Sequence, residues 1–362
     1  MKLCDKSETV DENDGINLLS VDENDGINIS AVELSDKSDK TPAEKVSSGC
    51  EPLSNELIIK KQKNKRKILD NLQGILFASS PLIGFLLFGF IPLIISLILS
   101  FGKLRTFDLR DMQPVKFENY IRIFTEDDKF FKSVGNTFVY AFFTVFISIA
   151  LSLVLASFLN RKIAFKKGFR MILFLPYICS AVAISTMWKW VFEYNYGILN
   201  TIMDFFHAER INWLGDVRTA MPVMILTSVW GGLGFNMILY SAALSAINKS
   251  YYEAAMLDGA SSLKVFFTIT FPLVSPTTFY LAVMGFIGAL QSFANFQIMT
   301  PNGGPENSTL TMVFRVWDIA FNLDKRTYGM GYAAAMSWLV GLIIMVFTAI
   351  NFGLSKRWVH YD

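Results

Sequence analysis

Residues 137–170 read TFVYAFFTVFISIALSLVLASFLNRKIAFKKGFR: 23 residues without a charge, then five Lys or Arg within the next eleven. A helix rises about 1.5 Å per residue, so the uncharged run is long enough to cross a hydrocarbon core about 30 Å thick. Five further runs of this kind occupy 74–101, 171–192, 221–244, 277–299 and 331–354. They lift the hydrophobic share of the 362 residues to 52%, above the roughly 45–50% of soluble domains. The fold class expected is all-α: a polytopic membrane protein with six transmembrane helices. Pro81 and Pro92 should kink the first helix rather than break it, because neighbouring helices can satisfy freed backbone groups.

Lysine and arginine collect on cytoplasmic faces of membrane proteins. KKQKNKRK at 60–67, the five cations of 160–170 and the pair Lys356-Arg357 all fall on one side of a six-span chain. The reading is a multi-pass protein of the cell membrane with both termini in the cytoplasm, its 60–73 segment also anchoring to lipid headgroups. Residues 102–136 vote the other way, since they should lie outside yet hold seven Lys or Arg, offset by six acids. Trp188, Trp190, Tyr194 and Tyr196 gather at one end of the third run as an interfacial belt would. Residues 1–59 are rich in acids with almost no aromatics, and VDENDGIN occurs in them at 10–17 and again at 21–28. That composition cannot bury enough apolar surface to offset its ordering entropy and predicts a disordered acidic tail. The expected organisation is a tail over 1–59, a basic juxtamembrane segment over 60–73, a membrane domain over 74–356 and a cytoplasmic tail over 357–362.

Several chemistries drop out. Cys4, Cys50 and Cys179 are too few and too scattered for a disulfide framework or a zinc site. DENDG lacks the glutamate that completes a calcium loop, so no metal site is expected. A net charge of +2 gives no reason to expect nucleic acid. No GxxxxGK[ST], HExxH or GxSxG occurs, which removes nucleotide binding and the common hydrolytic sites. The chain is not expected to be an enzyme.

The connection between the fourth and fifth runs, 245–276, reads SAINKSYYEAAMLDGASSLKVFFTITFPLVSP. It is too long for a simple helical hairpin. A first helix is predicted over 251–257, with Tyr252, Ala255 and Met256 on one side. Gly259 sits where a helix ends in a left-handed turn. Ser261 or Ser262 can cap a second helix running to Thr270, carrying Leu263, Phe266, Phe267 and Thr270 at helical spacing. Pro272 and Pro276 should stop it. Two packed helices with Glu253 and Asp258 projecting form a rigid knob, which could either dock a partner or lie passively on the membrane.

This loop resembles the EAA motif of binding-protein-dependent ABC importer permeases: Glu253-Ala254-Ala255, three residues, Gly259, nine residues, Ile269, then an apolar residue before a proline. Phe271-Pro272 stands where that family has a leucine-proline pair. The likeness extends from about residue 76 to the C-terminus. It includes 166–200, 117–141, 300–321 and 328–339, and the pattern is that of carbohydrate permeases. The resemblance implies a coupling-helix loop whose Glu253, Ala254, Ala255, Asp258, Gly259, Ile269 and Pro272 engage a cytoplasmic ATPase. It also implies a second permease forming a heterodimer, an ATPase dimer and an extracytoplasmic solute-binding protein. No cofactor is implied for this chain, because ATP would be bound by the partner subunits.

Within the spans, Asn236 and Tyr240 lie one predicted turn apart with Trp230 nearby, and Gln291 and Asn295 one turn apart beside Ser292 and Phe293. Amide, phenol and indole groups facing one lumen suit a hydroxyl-rich neutral solute. The same groups could instead bond helix to helix. From physics alone an ion-coupled secondary transporter is the alternative, but such proteins usually carry ionisable residues at mid-membrane. Here the span centres hold no Asp, Glu, Arg or His.

Overall fold

The computed structural model describes residues 73–104, 112–160, 165–321 and 329–359. The acidic tail, the basic cluster 60–67 and residues 360–362 lie outside the described residues. The helical bundle is the unit Ile75–Asp362.

Four helices are long and apolar enough to cross a bilayer alone: α1 (Gln73–Ser100), α3 (Asp128–Leu159), α7 (Val217–Ala246) and α13 (Gly329–Ser355). Two bent helix pairs are long and apolar enough only when their halves are taken together. α4 (Lys166–Ile178) meets α5 (Ala181–Val191) at 100°, and α9 (Ser262–Leu273) meets α10 (Ser275–Leu290) at 66°. Counting each pair as one crossing gives the six expected from hydropathy. Short helices fill the connections: α2 (Glu118–Thr125), α6 (Ile198–Phe205), α8 (Lys249–Leu257), α11 (Ala294–Met299) and α12 (Met312–Phe321). The β1 (Gly102–Lys103) and β2 (Gln113–Pro114) pieces form a minimal antiparallel ribbon after α1.

The span boundaries depart from hydropathy in three places. The 171–192 run is two helices, because Cys179 and Ser180 are extended (ψ 150° and 134°). Pro176, just ahead of them, lacks an N–H and crowds the carbonyl four residues back, which weakens the ladder where it stops. The 277–299 run ends at Leu290 and resumes as α11 at Ala294. In the gap the carbonyl of Ser292 accepts a hydrogen bond from Thr311 Oγ1 at 3.1 Å, a tertiary partner in place of a helical one. α3 begins at Asp128, nine residues ahead of the apolar run, where the Asp127 carboxylate caps it by accepting from the Lys129 amide.

Pro272 does not stop α9, which continues to Leu273. A π turn over Phe266–Thr270 shifts the ladder by one residue, the Phe271 amide reaching back to the Phe266 carbonyl. A proline without an N–H is accommodated just beyond such a shift. The bend falls at Val274.

α3 packs along α7, with α10 against α3, so these three carry the central core around Tyr140, Met224, Phe286 and Phe296. α4 presses its backbone onto α7 at Gly234, where an added Cβ would stand 2.0 Å from the Leu173 carbonyl oxygen. At the end of the bundle opposite α8, a buried ion cluster joins three helices. Arg315 Nη2 (α12) lies 3.2 Å from both carboxylate oxygens of Asp127, and Nη1 lies 3.4 Å from Asp318. Tyr332 (α13) donates to Asp127 at 3.1 Å.

Candidate functional site

A cavity of about 370 Å³ opens between α3, the α4–α5 bend, α7 and the α10–α11 break. Its polar lining is Tyr140 and Thr144 from α3, Tyr177 and Cys179 at the bend, Thr227 and Ser228 from α7, and Ser292 and Asn295 beyond α10. No Asp, Glu, Lys, Arg or His is among the lining residues. Four glycines complete it. At Gly231 and Gly288 an added Cβ would meet nothing within 4 Å, so these positions leave open space rather than admitting a neighbouring helix.

The two breaks in the bent crossings build the cavity. Each unwinds a helix beside it and presents short polar groups to the space. Tyr140 Oη donates to Ser228 Oγ at 2.8 Å and lies 3.4 Å from Ser292 Oγ. Its ring stands edge-on to Phe296 at 4.8 Å. Ser185 Oγ on α5 donates to Asn295 Oδ1 at 2.9 Å, and among the described residues the Asn295 amide nitrogen has no protein acceptor. Hydroxyls that both donate and accept, with a spare amide donor, can exchange hydrogen bonds with a polyhydroxylated solute.

Of the path residues expected from sequence, Asn295 lines this cavity. Gln291 caps the end of α10 and is exposed, so it and Asn295 do not share a helical face. Asn236 donates to Ser148 Oγ at 2.9 Å and ties α7 to α3. Tyr240 is wholly buried and donates to Thr278 Oγ1 at 3.0 Å, tying α7 to α10. Trp230 stands edge-on to Trp188 and lines a larger, almost wholly apolar groove of about 830 Å³ on the flank of the bundle. The sequence reading passed over Tyr140, Thr144, Thr227 and Ser228. The signal available was small and polar residues one turn apart, Thr227-Ser228 with Gly231-Gly232.

At the other end of the chain's path, α8 and α9 form the knob. The Asn248 side chain caps α8 by accepting from the Ser250 amide. α8 ends as the glycine requires: Gly259 has φ +68°, and the Ala260 amide returns to the Ala255 carbonyl at 3.0 Å. Ser261 then caps α9, accepting from the Lys264 amide. Ala255 is buried, and Tyr252 and Thr270 share a hydrogen bond at 3.3 Å, which holds the two helices as one body. Glu253, Ala254, Asp258 and Gly259 are exposed, while Ile269 and Pro272 are half-buried. Met256, expected on the packed side with Ala255, is instead turned outward beside Leu257, which is 90% exposed.

The 193–213 connection is a compact unit around Asn200. Its side chain donates to the carbonyls of Tyr194 and Ile211 and accepts from the Ile211 amide and the Trp213 indole. Backbone amides of Tyr196 and Asn195 bond the Glu193 carboxylate and hold its pKa below the ordinary value. The hydrogen bonds and charge of Arg210 do the same for Asp204.

The bundle thus combines four apolar helices and two bent pairs with a polar cavity among them and a rigid helical knob at one end. The profile of the binding-protein-dependent transport system inner membrane component family matches residues 148–360, and the chain belongs to that family. It is 35% identical to the probable ABC transporter permease protein YesP of Bacillus subtilis, over 84% of this chain and 96% of that one. It is 31% identical to the diacetylchitobiose uptake system permease protein NgcF of Streptomyces coelicolor, over 77% of this chain and 81% of that one. Its fold matches a chain of a bacterial ABC transporter involved in import of the acidic polysaccharide alginate. The TM-score is 0.70 at 20% identity, covering 82% of this chain and 99% of the other. The chain is thus a multi-pass permease of an ABC import system that depends on a solute-binding protein.

Proposed function

We propose that the polar lumen carries an uncharged oligosaccharide or similar polyhydroxylated solute. The observation that carries this reading is the lining: hydroxyl and amide groups with no ionised side chain, widened by glycines on α7 and α10. Ions or anionic cargo would call for fixed charges or oriented cations, whereas neutral hydroxyls are matched by Tyr140, Ser228, Ser292 and Asn295. The carbohydrate name of one relative agrees with this chemistry. In the same proposal the α8–α9 knob faces the cytoplasm and engages an ATPase dimer through Glu253, Ala254, Asp258 and Gly259. Ala255, Ile269 and Pro272 hold its shape, and a second permease completes the pathway. Solute and ATPase would each bias the two bent crossings toward one access state, which is what coupling requires.

The test is reconstitution with the cognate ATPase, partner permease and binding protein in proteoliposomes. Asn295→Ala and Ser292→Ala should each lower the affinity for solute in uptake while leaving assembly intact. Glu253→Lys and Gly259→Trp should release the ATPase in a pull-down. Unchanged uptake in both lumen variants would refute the path, and an ATPase retained by both knob variants would refute the docking role.

A further inference from the structure

A second groove, of about 560 Å³, runs between α3, α9, α10 and α13 on the half of the bundle that bears the knob. It is walled by aromatic and aliphatic side chains, with Thr278 and Asn351 as the only polar ones. Thr278 Oγ1 bonds Tyr240 and the Val274 carbonyl, and Asn351 Nδ2 donates to the Phe347 carbonyl. The lining carries no ionisable side chain and is dominated by apolar surface, which suits an apolar ligand.

Its rim differs. Leu354 and Trp358 both line the groove, and between them in sequence stand Lys356 and Arg357. Hydrogen bonds from the Arg357 amide to Leu354 and from the Trp358 amide to Ser355 fold this segment back, and the Trp358 ring lies edge-on to Phe279 at 6.1 Å. Lys356 and Arg357 are exposed, and among the described residues neither has an acidic partner. Two exposed cations flanked in sequence by residues that line an apolar slot match one amphiphile chemically: an acyl chain in the slot and an anionic headgroup on the cations. A partner helix fits less well. The slot holds little more than one turn of a helix about 10 Å across, and it leaves the cations unmatched.

We propose that this groove is a binding site for one acyl chain of an anionic phospholipid, its phosphate held by Lys356 and Arg357. Phe266, Phe267 and Phe271 of α9 form one wall, so a bound chain braces the knob against α13 and lipid occupancy stabilises the orientation of α9.

The intact transport complex in nanodiscs of phosphatidylcholine doped with phosphatidylglycerol of the same acyl chains tests this, with lipid retained after detergent washing read by native mass spectrometry. At roughly fivefold per cation near an anionic surface, the wild type should prefer phosphatidylglycerol by about thirtyfold. Lys356→Gln with Arg357→Gln should bring the two lipids near parity while a lipid is still retained, and Ala282→Trp, which fills the slot, should lose both. Parity in the wild type, or an unchanged preference in the double glutamine variant, would overturn the proposal. So would a covalent crosslink to the partner permease from Ala282→Cys labelled with a thiol-reactive photocrosslinker, which would place a protein helix in the slot.

Discussion

Glycine substitutions in the bundle separate space that is filled by neighbours from the open space of the proposed solute path. A glycine inside a helix is less stable than alanine by about 0.5–1 kcal/mol, so replacing it should stabilise wherever the new side chain meets nothing. At Gly231 and Gly288 an added Cβ has no atom within 4 Å, and both positions line the polar cavity. Gly231→Ala and Gly288→Ala should therefore raise stability by about 0.5–1 kcal/mol each. Gly234 is three residues from Gly231 on the same helix, but its Cβ would lie 2.0 Å from the Leu173 carbonyl oxygen. There α4 must move, at about 1–3 kcal/mol or more, which outweighs the propensity gain. Thermal unfolding of the purified complex should order the variants accordingly, Gly231→Ala and Gly288→Ala above wild type and Gly234→Ala below it. Transport should order differently. Gly288→Leu keeps a strong helix former but fills the lumen, so uptake into proteoliposomes should fall at least tenfold (about 1.4 kcal/mol) without loss of stability. A stable Gly288→Leu protein that imports solute at the wild-type rate would show that the cavity is not the path.

Three further outcomes are expected. Arg315→Met strands Asp127 and Asp318 in a buried site and should cost about 3–5 kcal/mol, partly recovered by adding Asp127→Asn, as read by chemical unfolding in detergent. At Gly259, where φ is +68°, a valine forces a β-branched residue into the left-handed region at about 1–2 kcal/mol. Gly259→Val should lower solute-stimulated ATP hydrolysis while the bundle still unfolds at the wild-type temperature. Glu193 and Asp204 titrate below their ordinary values, so the stability they lend the 193–213 unit is present above about pH 4 and lost as pH falls through the depressed values. Fluorescence of Trp213, whose indole is bonded to Asn200, should report that loosening on acidification, and Glu193→Gln should remove its share of the transition.

Hydropathy located the apolar segments, four as single long helices and two as bent pairs, because burial in lipid constrains each segment locally. In the knob, Gly259 and Ser261 were legible because they are caps that act within four residues of themselves, whereas the Asn248 cap, which starts α8 at Lys249, was not read. What escaped the sequence depends on partners far along the chain. The break after Leu290 is held by a bond from Thr311, 19 residues on, and the Asp127–Arg315 pair spans 188 residues. The path residues divide for a related reason. Asn236 and Tyr240 are polar and mid-span, as a solute contact would be, but polarity alone does not reveal whether a side chain meets a lumen or another helix. Ser148 and Thr278 face them, so their hydrogen bonds close within the bundle. Asn295 differs only in where its helix begins. The break turns α11 so that the amide oxygen accepts from Ser185 and the residue lines the cavity. The lumen is therefore a property of the two interrupted crossings. A variant that repaired either interruption into a continuous helix would be expected to keep the fold's hydropathy and lose the polar cavity.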